Sequence, residues 1–292
     1  MYPLIVRPTS ETIIGYTYAR WIQSYRDLPL LINQWANVLR WEVKQTKLFL
    51  RTREFLWQEG HCVYETEKEC NDEALMFLNE YKSLCEELLA IPVIAGEKTP
   101  LERFAGAKKT YTIEALMPDG KALQMGTSHN LGQNFAKSFG IKFLGKEKGE
   151  EIPWQNSWGF STRLIGAVVM VHSDNKGLVL PPKLATEKAV VVPILFDKTK
   201  EKVLKKAKEV SLKLKKFNAF LDDREGYSSG WKFNEWELKG IPVRVEVGPK
   251  DVEKKQVVLV SRLGEKKIVK EKNLVKEVNA MLEQMQETLF ER

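Results

Sequence analysis

The chain has 292 residues, enough for about two domains at the usual ~100–200 residues each. With 43% hydrophobic and 29% charged residues it has the composition of an ordinary globular protein, and no apolar run approaches the ~18–20 residues of a membrane span. Met1–Glu11 lacks the basic start and apolar stretch of a signal peptide. The three cysteines (Cys62, Cys70, Cys85) do not make a disulfide framework, and a formal charge of +7 suits a polyanionic partner without requiring one.

The first cluster along the chain, Arg7-Pro8-Thr9-Ser10-Glu11-Thr12, admits two readings. Thr9 and Glu11 can aim a hydroxyl and a carboxylate at one amine, or the segment can cap a helix over 12–24. Tyr16–Ser24 has helical character. Asn33–Glu42 and Leu50–Tyr64 read as two strands of a long hairpin, joined by the polar loop Val43–Lys47. In the second strand, period-two alternation places Arg51, Arg53, Phe55, Trp57, Glu59 and His61 on one face. Leu50, Thr52, Glu54, Leu56, Gln58 and Cys62 take the other, where the apolar members are expected to pack on a core. The preceding strand adds Arg40 and Glu42 on a common face. Arginine forks suit phosphate, an aromatic ring can stack on a purine, and a buried glutamate can pair with an amine. The competing reading is cross-strand salt bridging on an exposed sheet. Asn71–Leu89 reads as a helix with Leu75, Leu78, Leu84 and Leu88 on one side and Asn71 or Asp72 as its cap.

Gln124-Met125-Gly126-Thr127-Ser128-His129 follows, where Thr127 and His129 either line a pocket or sit satisfied in a core. Trp158–Arg163 then leads into the apolar stretch Leu164–Val171. An arginine at the start of a helix opposes the helix dipole, so either a bound anion or a structural ion pair is expected there. Leu180-Pro181-Pro182 through Lys188 marks the boundary between two textures, giving domains 1–188 and 189–292. Ala189–Phe196 reads as a strand buried on both faces. Thr199–Lys216 carries a helical stripe of Val203, Leu204, Ala207, Val210 and Leu214, with its lysines forming a solvated face. Strands at Ala219–Leu221, Val243–Val247 and Gln256–Ser261 alternate with a short helix at Trp231–Leu238. A closing helix is striped by Leu274, Val278, Met281, Met285 and Leu289, and the alternation predicts a small α/β domain. His61, His129, His172 and the cysteines show no zinc-ligand spacing, and no P-loop or GxGxxG occurs.

Arg40-Trp41-Glu42, a loop and Leu50-Arg51-Thr52-Arg53-Glu54-Phe55 together resemble motif 2 of class II aminoacyl-tRNA synthetases, and Gly159-Phe160-Ser161-Thr162-Arg163 resembles motif 3. Arg7–Thr12, Phe49–His61 and Thr127–Phe135 are similar to segments of the prolyl-tRNA synthetases, archaeal/eukaryotic type. Ser229–Phe233 and Trp236–Gly240 resemble the anticodon-binding domain of those enzymes. The resemblance implies an α+β catalytic domain built on an antiparallel sheet, followed by a smaller α/β anticodon-binding domain. It also implies ATP-dependent ligation of L-proline to tRNA(Pro) through a prolyl-adenylate, with Mg2+ on the phosphates. By the same resemblance Arg40, Glu42, Arg51, Phe55, Gln124 and Arg163 would hold ATP, with Arg40 and Arg163 catalytic. Thr9, Glu11, Arg40, Trp57, Glu59, Phe104, His129 and Ser161 would hold proline, and Arg224, Lys232 and Lys250 would meet the anticodon. The family's motif 1, which supports a homodimer, and its cysteine-containing C-terminal domain have no counterpart in the sequence, and the space between motifs 2 and 3 is too short for an editing insertion. A truncated, catalytically impaired module that binds tRNA or ATP is therefore the alternative reading. The location implied is the cytoplasm, which fits the sparse cysteines.

Overall fold

A computed structural model describes residues 6–7, 9–147 and 149–292; Pro8 of the first cluster lies outside them. The chain divides into two compact units, one of residues 1–85 with 92–167 and the other of 86–91 with 168–292.

The first unit opens with α1 (Glu11–Trp21), β1 (Leu30–Leu39), β2 (Glu54–Tyr64) and α2 (Glu67–Ser83). Next come β3 (Ile94–Glu97), β4 (Lys109–Leu116), β5 (Ala122–Gly132) and α3 (Asn134–Phe139). The small pair β6 (Phe143–Leu144) and β7 (Glu150–Glu151) precedes β8 (Trp154–Ser161) and α4 (Arg163–His172), and the division between units falls inside α4. Six strands form one sheet in the order β1-β2-β8-β5-β4-β3, each pairing antiparallel. The hairpin expected from the sequence is present. Its strands stop at Leu39 and Glu54, however, and 40–53 is an irregular bend tied by the Arg40 N–H to Arg53 carbonyl bond of 2.7 Å.

Helix α2 covers one face of this sheet. Its N-cap is Thr66, not Asn71 or Asp72, because Thr66 and Glu69 satisfy each other's backbone N–H groups in a capping box. Its buried stripe is Cys70, Ala74, Leu78 and Tyr81, whereas Leu75 and Leu84 lie off it. Phe77 stacks on Trp158 with ring centroids 3.5 Å apart, and the Tyr81 hydroxyl donates to Gln58 Oε1 at 2.9 Å. Gly60 makes this packing possible, since a Cβ there would stand 2.1 Å from the Trp158 ring. The expectation that Leu56 packs on a core fails. It is 62% exposed, because α2 leaves that end of β2 uncovered, while Cys62 on the same face is buried.

The second unit contains β9 (Ala189–Pro193), α5 (Lys200–Lys213), β10 (Phe220–Leu221), α6 (Ser229–Leu238) and β11 (Val243–Val247). It ends with α7 (Pro249–Glu253), β12 (Gln256–Ser261), β13 (Lys266–Lys270) and α8 (Leu274–Phe290). Its mixed sheet runs β10-β9-β11-β12-β13, with β9 parallel to both neighbours. The stripes read from the sequence are the buried ones: Val203, Ala207, Val210 and Leu214 from the lysine-rich helix, and Leu274, Val278 and Met281 from α8. Residues 168–188 and 86–91 also pack with this unit, whose sheet begins at Ala189. The reason is Arg262, a buried guanidinium that donates to both Asp174 carboxylate oxygens (2.6 and 2.9 Å) and to the Leu178 carbonyl (2.9 Å). Val179 is buried in turn with Met285 and Leu289.

Replacing Gly60 with alanine is expected to destabilise the first unit by about 1–3 kcal/mol, the usual cost of overpacking. A lower midpoint in urea unfolding followed by tryptophan fluorescence checks it; an unchanged midpoint would mean that Trp158 moves aside freely.

Candidate functional site

The face opposite α2 carries a cleft beside the end that α1 and α3 cover through Tyr18, Ile22 and Ala136. Residues paired directly across antiparallel strands share a face. The register sets Trp57 against Ser161, Glu59 against Gly159 and His61 against Ser157. It also sets Thr127 against Gly159, His129 against Ser157 and Thr110 against His129. One row of side chains is thus collected from four strands, on the face opposite α2. The cleft, about 270 Å³, is lined by Thr9, Glu11, Arg40, Phe55, Trp57, Glu59, Phe104, Gln124, Thr127, His129, Ser161 and Arg163. Of the residues expected in one site, Glu42 and Arg51 do not line it; both are exposed in the irregular 40–53 bend.

One end of the cleft is acidic. Ser10 takes the N-cap position of α1, but neither it nor Thr9 caps the helix: Thr9 donates to Glu11, and Ser10 to Glu59. Glu11 is buried and accepts also from Ser157 Oγ at 3.1 Å; among the described residues no Lys, Arg or His forms an ion pair with it. Glu59, equally buried, is committed to the protein. It accepts from Ser10 and Gln34, and its Oε2 lies 3.0 Å from His61 Nε2. Burial pushes the Glu59 carboxyl up, but bonds and charge from His61 and bonds from Ser10 and Gln34 outweigh it and hold the carboxyl below its ordinary range. His129 is pushed down to about 4, first by burial, with the Glu11 carboxylate opposing and the charges of Lys98 and His61 adding to it, so its imidazole is neutral at pH 7.

The other end is basic. Arg163 opens α4 and is anchored by carbonyls rather than carboxylates: Nε donates to Leu50 O (3.1 Å) and Nη1 to Gln124 O (3.2 Å). Burial, then the charges of Arg40 and Arg51, hold its pKa below the ordinary guanidinium range. Arg40 lies over the Phe55 and Trp57 rings at 5.4 and 5.9 Å. Among the described residues Arg40, Arg51 and Arg163 form no ion pair, so the cross-strand salt bridges that competed with a ligand site are not seen there. Three like charges without a counter-ion, one at a helix start, make an anion site in electrostatic terms. Phe55 and Trp57 meet edge to face at 5.6 Å, and the Trp57 indole N–H is buried without an acceptor among the described residues.

Sequence reasoning missed Lys98, Glu102, Thr110 and Ser157, which also line the cleft. Lys98 Nζ donates to Gln124 Oε1 at 2.6 Å. Ser157 shares the parity of Ser161 on the same strand; the wall from Lys98 to Thr110 carries no periodic signal. Among the described residues no group of three or more His, Cys, Asp or Glu could cage a metal ion.

In the second unit Lys232 is not on a surface. It is 1% exposed, and its ammonium donates to the Asp222 carbonyl at 3.0 Å. Its ammonium is thus committed to Asp222 inside the unit and is not presented to a partner in this structure. Arg224 is partly exposed, gripped by Asp222 and Glu235, and lies 5.3 and 5.5 Å over the stacked Tyr227 and Trp231 rings. Lys250, at the start of α7, is exposed.

An antiparallel sheet with one face covered by a helix and the other holding a carboxylate-to-arginine cleft, ahead of a mixed α/β unit, defines a class II synthetase architecture. Residues 2–172 match the pattern of the tRNA synthetase class II core domain (G, H, P, S and T), and 188–281 match the anticodon binding domain. The chain belongs to the class II tRNA synthetase core family and carries an anticodon-binding domain after that core. Among curated proteins it is similar to the proline–tRNA ligases of Natranaerobius thermophilus (55% identical over 290 residues) and Prosthecochloris aestuarii (55% over 293). It is 56% identical over 293 residues to that of Chloroherpeton thalassium. Each alignment covers 99% of this chain and 60% of the relative, so the chain spans about three-fifths of the length of these proteins. No helix among the described residues is long and apolar enough to cross a membrane.

Asp222 supplies a pH test of the second unit. Burial raises its pKa, yet bonds from Arg224 and Trp236 and the charges of Lys232 and Arg224 bring it down to about 2. A depressed pKa contributes stability that is present above the unfolded carboxyl value of about 4 and is lost as pH falls through the folded value. The unfolding midpoint of this unit is expected to drop between about pH 4 and pH 2, and Asp222→Asn, less stable at neutral pH, should show a flatter profile. Parallel profiles would show that Asp222 does not carry the dependence.

Proposed function

We propose that the chain is the adenylating core and anticodon-reading part of a proline–tRNA ligase. The observation that carries this reading is the polarity of the cleft. Among the described residues, a buried carboxylate with only hydroxyl partners faces one end and guanidinium groups without counter-ions the other, as a cationic amino group and a polyphosphate would require. The identity with proline–tRNA ligases supports proline as the amino acid.

In this reading Glu11 and Thr9 take the prolyl imino group, and Trp57, Glu59, Phe104, His129 and Ser161 shape the ring pocket. Arg40 bridges the substrate carboxylate and the α-phosphate, and Phe55 stacks on adenine. Gln124 and Arg163 approach the phosphates, while Arg51 and Glu42 would reach the nucleotide only by movement of the 40–53 bend. The proline carboxylate oxygen attacks the α-phosphorus in line. The new O–P bond forms as the bond to the bridging oxygen breaks, and pyrophosphate leaves with those electrons. A terminal ribose hydroxyl of tRNA(Pro) then attacks the prolyl carbonyl; the new ester C–O bond forms as the carbonyl's bond to the phosphate oxygen breaks, AMP leaves with those electrons, and the hydroxyl proton passes to the AMP phosphate or water. The attacking carboxylate is already ionised, so no general base is needed in the first step, and positioning with charge stabilisation suffices. Magnesium would neutralise phosphate charge while held mainly by the phosphates and water. Arg224 and Lys250 are the proposed tRNA contacts of the second unit. A second copy of the chain is the proposed partner for the exposed Leu31, Trp35 and Leu56, and the cytoplasm the proposed location.

Proline, and not alanine or threonine, is expected to drive ATP–pyrophosphate exchange by this chain. Arg40→Ala should lower the exchange by about 100-fold or more with the circular dichroism spectrum unchanged. Glu11→Gln should raise the proline KM far more than the ATP KM. Absence of proline-dependent exchange, or full exchange by Arg40→Ala, would overturn the reading.

A further inference from the structure

Thr110 sits in the cleft wall, 1% exposed, and its hydroxyl touches two other wall residues. It accepts from the Phe104 backbone N–H at 3.1 Å and lies 3.0 Å from His129 Nδ1. The Phe104 ring packs against the imidazole with centroids 4.8 Å apart. One buried oxygen therefore ties together the loop that carries Phe104 and the strand that carries His129.

A hydroxyl has one hydrogen to donate. Were His129 protonated on Nδ1, that N–H would donate to Thr110 Oγ1, which already accepts from Phe104. The hydroxyl hydrogen would then point at no acceptor among the described residues, in a place closed to water, and an unmade buried bond is costly. With Nδ1 as the acceptor, both bonds are made. Nε2 then carries the hydrogen and has no protein partner among the described residues. The depressed pKa of the ring agrees with a neutral imidazole, with Glu11, Lys98 and His61 as the charged or titratable groups acting on it.

We propose that Thr110 is a positioning residue that fixes His129 as the neutral Nε2–H tautomer and locks it against Phe104, so that the amino-acid pocket presents a donor, not an acceptor, on this wall. The proposal rests on the ligase reading for what fills the pocket, but not for the tautomer. A ring that only donates cannot receive the substrate's imino N–H, which is left to Glu11. The wall then discriminates by shape and by where an acceptor may sit, and its precision depends on a hydroxyl whose bonds run to Phe104 and His129.

The test joins a spectrum to kinetics. Long-range proton–nitrogen correlation of the imidazole nitrogens, tractable with three histidines, reports the tautomer of His129, assigned by its loss in His129→Gln. The wild type is expected to be protonated on Nε2 and neutral at pH 7. Thr110→Val, close in shape, should mix the tautomers and raise the proline KM about tenfold with the ATP KM unchanged, the size expected of one lost hydrogen bond. Thr110→Ser should restore both. An Nδ1–H tautomer in the wild type would overturn the proposal whatever the kinetics. So would a valine variant that folds and keeps the wild-type proline KM. If the wild type shows no proline-dependent exchange, the ligase reading fails, and the tautomers of wild type and valine variant still decide whether Thr110 fixes His129.

Discussion

The register in which β2, β8 and β5 pair is the constraint on which the site depends. Trp57, Glu59, Ser157, Ser161, Thr127 and His129 share a face only because their strands are aligned as they are. A slip of one residue would turn that row toward α2 and bring Gln58, Trp158 and Asn130 into the cleft. The opposite face prevents the slip. Phe77 on Trp158, Tyr81 on Gln58, and Asn156 donating to the Cys70 carbonyl and the Glu73 carboxylate each fit one alignment only. Gly60 belongs to the same device, since it is the gap into which Trp158 packs. Packing on the covered face is thus what holds the chemistry on the open one.

On that scaffold the charges are left unbalanced in a particular way. Glu59 is partnered within the protein, by His61 and the donors Ser10 and Gln34. Glu11, also buried, has only hydroxyls among the described residues. Arg163 is held by carbonyls beside two more arginines that have no carboxylate among the described residues. A buried charge without a partner is unfavourable, and folding tolerates it where a ligand later supplies the counter-charge. Carboxylate at one end and guanidinium at the other give the cleft a direction, which an amino acid joined to a nucleotide would follow.

Much of this was legible in the sequence because it rests on short-range periodicity. Alternation along 55–61 gave the face carrying Phe55, Trp57 and Glu59, and the helical stripes of the second unit are the buried ones. What escaped depends on contacts distant in sequence. Lys98 and Thr110 enter the cleft from a segment with no period, and their partners Gln124 and His129 lie on another strand. Leu56 obeys the alternation yet is exposed, because alternation does not say how far α2 extends. Lys232 looked like a surface cation, but Asp222, in the preceding strand–loop segment, draws its ammonium inside. The tie of 168–188 to the second unit runs through Arg262, whose partners lie more than eighty residues earlier.

The central claim is that the cleft is built for a ligand with a cationic amine at one end and a phosphate at the other. The most direct measurement is calorimetric titration of this chain with a non-hydrolysable prolyl-adenylate analogue, alongside the N-acetylated analogue, which lacks the amine charge. The account predicts one-to-one binding of the first and binding weaker by about 100-fold or more for the second, the cost of leaving the buried Glu11 unpaired. Equal affinity for the two, or no binding of either, would contradict it.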